Sequence, residues 1–150
     1  MPRARLSADE SGTASLEFVT AGLVLLLPLV YLVLTMSALQ GAALAVEGAS
    51  RQAARVFVEA GNVREANAAA ERAVEFALAD YGLDTDDVDV SITCRPRAAA
   101  CLTRRGFVTV TISIVAPLPL FPAVLGTDIP AGVPIDSVAT EQVSRFAGSR

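Results

Sequence analysis

The sequence predicts an α+β fold built from a long N-terminal transmembrane and stalk helix, a second amphipathic helix and a small antiparallel β-sheet. Three observations predict it. No charged residue occurs from Phe18 to Val46, and Leu and Val dominate that run as far as Leu39. Between Val63 and Leu78 apolar residues recur at helical spacing. Further on, Val88, Val90, Ile92 and Cys94 alternate with polar residues, as do Val108, Val110, Ile112 and Ile114, and that period of two marks half-buried strands.

The first element is the apolar run. It exceeds the roughly 18 to 20 residues that a helix needs to cross a bilayer core. Pro28 lies inside it and removes one helical hydrogen bond, which predicts a kink of the kind membrane helices tolerate. A secretory signal has a shorter apolar region, about 7 to 15 residues, followed by a small-residue cleavage site. This run is too long for that, and no such site follows it. Processing ahead of the run, which leaves the helix on the mature protein, is the better reading. Arg3 and Arg5 precede the run and Arg51 and Arg55 follow it, so charge alone does not orient it.

Helical character continues over residues 41–60. Glu47, Arg51, Arg55 and Glu59 repeat every four residues and form a polar ridge. Beside the ridge, Gly41, Ala45, Ala49 and Ala53 form a line of small residues. That line is either a surface for close helix packing or plain Ala richness. Gly61 ends the helix, and Asn62 with Glu65 supplies a cap and capping-box partner for the next one. This second helix runs to about Tyr81 and stops at Gly82. Its apolar face is Val63, Ala66, Ala70, Val74, Ala77 and Leu78, with Arg64, Glu71, Arg72 and Glu75 toward water. Such a helix is made to lie on something, most simply a sheet.

The two alternating runs supply that sheet, and a third strand is expected at about Ile135 to Phe146. Between strands two and three, residues 117–134 read as a stiff apolar loop carrying Pro117, Pro119, Pro122, Pro130 and Pro134. Cys94 ends the first strand and Cys101 lies in the connection to the second. A disulfide between them closes a small loop and places this part of the chain in an oxidising compartment; two unrelated thiols are the alternative. Arg95, Arg97, Arg104 and Arg105 surround this loop, either as a solvated tip or as a surface for an acidic partner. Asp84, Asp86, Asp87 and Asp89 form an acidic turn. Asp89 and Arg95 stand where an EF-hand loop requires Gly and Glu, so no calcium site is expected.

Composition narrows the chemistry. The 150-residue chain is 53% hydrophobic with a net charge of -4, and its twelve cations are all Arg, with no Lys and no His. Imidazole bases, His-liganded zinc, Schiff-base lysines and phosphate-loop lysines are therefore excluded. Two Cys cannot form a four-thiolate metal site. The expectation is a protein that is not an enzyme and carries no cofactor or metal. A slightly acidic balance also argues against nucleic acid as a partner.

One constellation remains. Residues 12 to 18 read Gly-Thr-Ala-Ser-Leu-Glu-Phe and lead directly into the apolar helix. An ionised Glu17 at the edge of such a helix is costly unless it is interfacial or paired. Cleavage after Gly12 would give Thr13 a free ammonium that could neutralise Glu17 within or between subunits, and the carboxylate would also suit the positive end of the helix dipole. A short Arg-containing leader, Gly12, four residues, Glu17, Phe18 and a long apolar helix resembles the class III leader of type IV pilin-like proteins. The form is similar to that of Flp pilins and the TadE/TadF pseudopilins of tight-adherence pili. Because about a hundred residues follow the helix, the chain resembles a TadE-like minor pilin. The Val-Thr-Val-Thr-Ile-Ser-Ile-Val-Ala-Pro-Leu-Pro-Leu segment is also similar to that family's strand and following loop. Gly22, after Ala21, departs from the Leu- and Val-rich pattern.

The resemblance implies a pilin-like fold divided into a cytoplasmic leader (1–12), a transmembrane and stalk helix (13–60) and an extracytoplasmic α+β domain (61–150). It implies a cut by a prepilin peptidase between Gly12 and Thr13, and recognition and assembly roles for Glu17 and Phe18. The implied setting is the bacterial cytoplasmic membrane, with other pilin subunits and Tad assembly-platform proteins as partners, and pilus assembly, adhesion or envelope secretion as the role. The residues alone also fit an uncleaved, single-pass anchored protein whose C-terminal domain is a permanent binding module. A carboxylate enzyme of the envelope is a third reading, for which no paired acids are visible.

Overall fold

The computed structural model describes residues 13–85, 88–119 and 132–147. They form two helices followed by three strands: α1 (Thr13–Glu59), α2 (Val63–Ala79), β1 (Asp89–Arg95), β2 (Phe107–Pro117) and β3 (Gly132–Gln142). The sheet is antiparallel in the order β1-β2-β3, with β2 central. This is the α+β layout that the hydrophobic patterning predicts, and it matches the pilin-like layout that the resemblance implies. The chain divides into two compact units inside α1, at Met36 and Ser37.

The boundary follows side-chain burial. From Leu16 to Met36 the large apolar residues of α1 are exposed, among them Phe18, Leu25, Leu27 and Leu32. From Ala42 onward one face is buried, through Ala45, Val46, Ala49, Ala53, Ala54 and Phe57. The line of small residues thus belongs to the internal core of the second unit. Its short side chains let a helix lie close to its neighbours. Helix α1 runs through Pro28, so the carbonyl four residues earlier lacks its usual helical donor.

Helix α2 has well-formed ends. The Asn62 side chain accepts a 2.9 Å bond from the Glu65 N–H, while its own amide donates to the Glu65 carboxylate. At the other end Gly82 adopts a left-handed φ of 66°. Its N–H reaches the Ala79 carbonyl and the next N–H, of Leu83, reaches back to Leu78, which is the Schellman closure. Ala66, Ala70, Val74 and Leu78 are buried. Val63, expected on the same face, is exposed at the helix start, where the first turn extends beyond the packed surface.

The strands bury one face. Val108, Val110, Ile112, Ile114 and Ala116 of β2 join the core with the buried helix residues. Their partners in the register are Cys94, Ile92 and Val90 of β1 and Glu141, Ala139, Ser137, Ile135 and Val133 of β3. The third strand begins and ends earlier than its weak alternation suggests, at Gly132 and Gln142. Correspondingly, both ends of the expected proline-rich loop are strand: Pro117 closes β2 and Pro134 lies within β3, while 120–131 lie outside the described residues. An edge strand accepts proline where the missing donor faces away from the ladder. The Val143 N–H bonds to the Gly106 carbonyl; counting back along the alternating ladder puts Pro134 on the free side. Gly132 is needed sterically, since a Cβ there would overlap a Val115 methyl and lie 2.9 Å from the Ala116 carbonyl oxygen.

Candidate functional site

The motif at residues 12 to 18 is divided by the described range. Gly12 lies outside the described residues, and Thr13 is the first helical residue of α1. Glu17 and Phe18 are both on α1 and exposed, Phe18 at 80%. Leu16, Glu17, Thr20, Ala21 and Val24 line a shallow, mainly apolar depression on this helix. Glu17 is the only charged residue from Thr13 to Val46. Among the described residues the ion pairs are Arg51–Glu47 and Arg55–Glu59, so Glu17 has no cationic side chain as a partner there.

The helix that carries Glu17 is built for an apolar solvent. An 18-residue window of it has a mean hydropathy of 2.4 and none of that window is buried. At 1.5 Å per residue, the 22 residues from Phe18 to Leu39 span about 33 Å, matching a hydrocarbon core of about 30 Å. Its two threonine hydroxyls are satisfied internally, with Thr20 Oγ1 donating to the Leu16 carbonyl at 2.7 Å and Thr35 Oγ1 to the Tyr31 carbonyl at 2.8 Å. This local back-bonding removes the cost of placing a hydroxyl in a medium without water. By length, composition and exposure the segment is compatible with a single-pass membrane anchor.

Within the second unit the cysteines form a disulfide, Cys94–Cys101, with the Cα atoms 5.0 Å apart. Loop-closure entropy for so short a loop corresponds to about 2.5 kcal/mol. The linkage holds the β1–β2 connection, which carries Arg95, Arg97, Arg104 and Arg105, all exposed. Arg104 Nε donates to the Ala147 carbonyl at 2.8 Å, tying the connection to the turn after β3. Arg105 has a φ of 60°. Its N–H bonds to the Val143 carbonyl, and the Val143 N–H returns to Gly106. This is a G1 bulge with arginine at the position glycine normally fills. Gly106 is required for another reason, because a Cβ would meet the Thr103 carbonyl oxygen at 2.8 Å.

The polar ridge of α1 is resolved into two exposed ion pairs, Glu47 with Arg51 and Arg55 with Glu59. Gly48, Arg51, Gln52 and Arg55 line an open groove with Val138 to Glu141 of β3. Beneath it, Ser50 is fully buried and its hydroxyl lies 3.0 Å from that of Ser137. Nothing in the hydropathy pattern points to this link, since Ser50 reads as one more small residue. Among the described residues no group of three or more His, Cys, Asp or Glu is placed to hold a metal. Comparison with models of known protein families, with characterised proteins and with solved structures gives no match.

Proposed function

We propose that this chain is a pilin-type assembly subunit, a TadE-like minor pilin or pseudopilin of a tight-adherence pilus system, processed after Gly12 and held in the membrane by α1 until it is assembled. The observation that carries the reading is the pairing of a single carboxylate, Glu17, with a wholly exposed apolar helix. A permanent anchor needs the apolar surface but gains nothing from an acid at its edge. A subunit that leaves the bilayer gains a partner for that acid. Apolar faces exchange lipid for neighbouring helices, and Glu17 meets the Thr13 ammonium of its own or an adjacent helix, setting the register. Prepilin peptidase, other pilin subunits and the assembly platform are the partners this function requires.

Intact mass of the mature protein tests the reading directly. A chain beginning at Thr13 supports it; one beginning at Met1 or Pro2 overturns it in favour of an uncleaved anchor carrying a binding domain. The Glu17→Ala variant separates anchoring from assembly. We expect membrane fractionation to be unchanged and incorporation into surface pili, or into pelletable assembly complexes, to fall at least tenfold. Normal incorporation would remove the register role of Glu17.

A further inference from the structure

Apart from Glu141, which lines the groove with Arg51 and Arg55, the charges of the strands and their connections are sorted along the strands. At one end, Arg95 closes β1, Arg97 follows in the connection, Arg104 and Arg105 precede β2, and Arg145 lies in the turn after β3. All five are exposed, and among the described residues none has an ion-pair partner. Two of them are held in place: Arg104 bonds to Ala147, and the Arg145 guanidinium lies 4.8 Å from the Phe146 ring centre, while the disulfide closes the connection that carries Arg97. Exposed Phe107, between Arg95 and Gln142 in the register, adds an apolar centre.

The opposite end of the sheet is complementary. Asp89 and Asp136 flank Ser113 in one row of the register. Both are exposed, on the face turned away from the helices. At a strand spacing of about 4.8 Å the two carboxylates stand roughly 10 Å apart, and six residues of strand separate this row from Arg95 by about 20 Å. Val115, opposite Pro134 in the next outward-facing row, is 55% exposed beside them. Each end thus presents an apolar centre flanked by charge, positive at one and negative at the other.

We propose that the arginine end of one copy docks on the Asp89–Asp136 end of a second copy, head to tail. Charge complementarity selects the partner, because an exposed guanidinium cluster meets two exposed carboxylates with apolar side chains at both centres. The two surfaces are different, so the contact is heterologous and leaves one free end of each kind, which lets it repeat along an open chain. The proposal deepens the assembly-subunit reading by naming the surfaces of the sheet domain that meet, and it is independent of where the leader is cut.

Complementary charge reversal tests it on the full chain in detergent, with association read by sedimentation velocity. Reversing one end (Arg97→Glu with Arg145→Glu) and, separately, the other (Asp89→Arg with Asp136→Arg) should each weaken self-association at least tenfold. Mixing the two variants should restore it, because each then offers the charge the other lacks. Wild-type association should also weaken at least tenfold from 50 to 500 mM salt, as screening shortens the reach of exposed charges. Association that ignores salt and both reversals, or a mixture that stays dissociated, overturns the proposal. So does a wild-type chain that stays monomeric while its arginine end binds phosphatidylglycerol nanodiscs, since the partner is then an anionic lipid. Because mature-end mass is a separate measurement, a chain that starts at Thr13 yet fails the mixing test sinks this inference alone.

Discussion

The two parts of α1 use apolar side chains in opposite ways. Between Leu16 and Met36 the residues are large and exposed, whereas from Ala42 to Phe57 the buried ones are mostly alanine. Mean hydropathy alone does not distinguish these environments, but side-chain volume does. A helix that meets lipid gains from every methylene it presents, on all sides. A helix pressed against a sheet and a second helix gains from fit, and bulk there is limited by the space between backbones. The comparison teaches that one continuous helix carries an exposed apolar segment and a core, divided by residue size rather than by a break in the chain.

The sharpest way to break that comparison is to remove one large side chain from each part. Phe57 is the largest fully buried residue, and Phe57→Ala should destabilise the sheet domain by about 3 to 5 kcal/mol. Amide hydrogen exchange of β2 in the detergent-solubilised protein would read the loss. Leu26→Ala removes an exposed residue of the other part and should leave β2 exchange within about 0.5 kcal/mol of wild type. A comparable loss from both would mean that residues 16–36 belong to the packed core.

Much of this division was legible in the sequence, and the reasons are local. Periodicity located α2 because its cap, its apolar face and Gly82 all agree on the same boundaries. The strands β1 and β2 declared themselves through β-branched alternation. The third did not, because Pro134, Asp136 and Ser137 reflect an edge position and a polar link to Ser50, neither of which is visible in a hydropathy pattern. The Arg-Arg-Gly at 104 to 106 is similarly opaque. Sequence intuition assigns a left-handed conformation to the glycine, yet Arg105 adopts it, at a strain of about 1 kcal/mol. For the candidate site, Glu17 and the cysteines were visible because each is chemically isolated. The sorting of charge to the two ends of the sheet became visible only with the strand register.

Adding volume sharpens the comparison from the other side, at a smaller expected effect. Ala49 is fully buried, and Ala49→Leu should cost about 1 to 3 kcal/mol through overpacking. Gly22 has open space around an added Cβ, so Gly22→Leu should leave β2 exchange unchanged while adding apolar surface to the anchor. If Ala49→Leu proved neutral, the small-residue line would be a consequence of Ala richness after all, and residue size would lose its meaning as the marker of the boundary.

The finest distinction concerns hydroxyls. In the exposed part, Thr20 bonds to the carbonyl of Leu16 on its own helix, a local contact that any single-pass helix can make. In the packed part, Ser50 accompanies its bond to the Glu47 carbonyl with a contact to Ser137, 87 residues away in sequence. Ser50→Ala should therefore cost about 1 kcal/mol, the net contribution of a buried neutral hydrogen bond. Thr20→Val should cost the sheet domain nothing. The half-buried Ser137 can still reach water in the Ser50→Ala variant, which keeps the expected loss at the low end and makes the paired variant Ser50→Ala/Ser137→Ala informative. If the double variant is no less stable than the single one, Ser137 acts only through its contact with Ser50. If the second substitution adds a further loss, Ser137 has a separate role at the β3 edge.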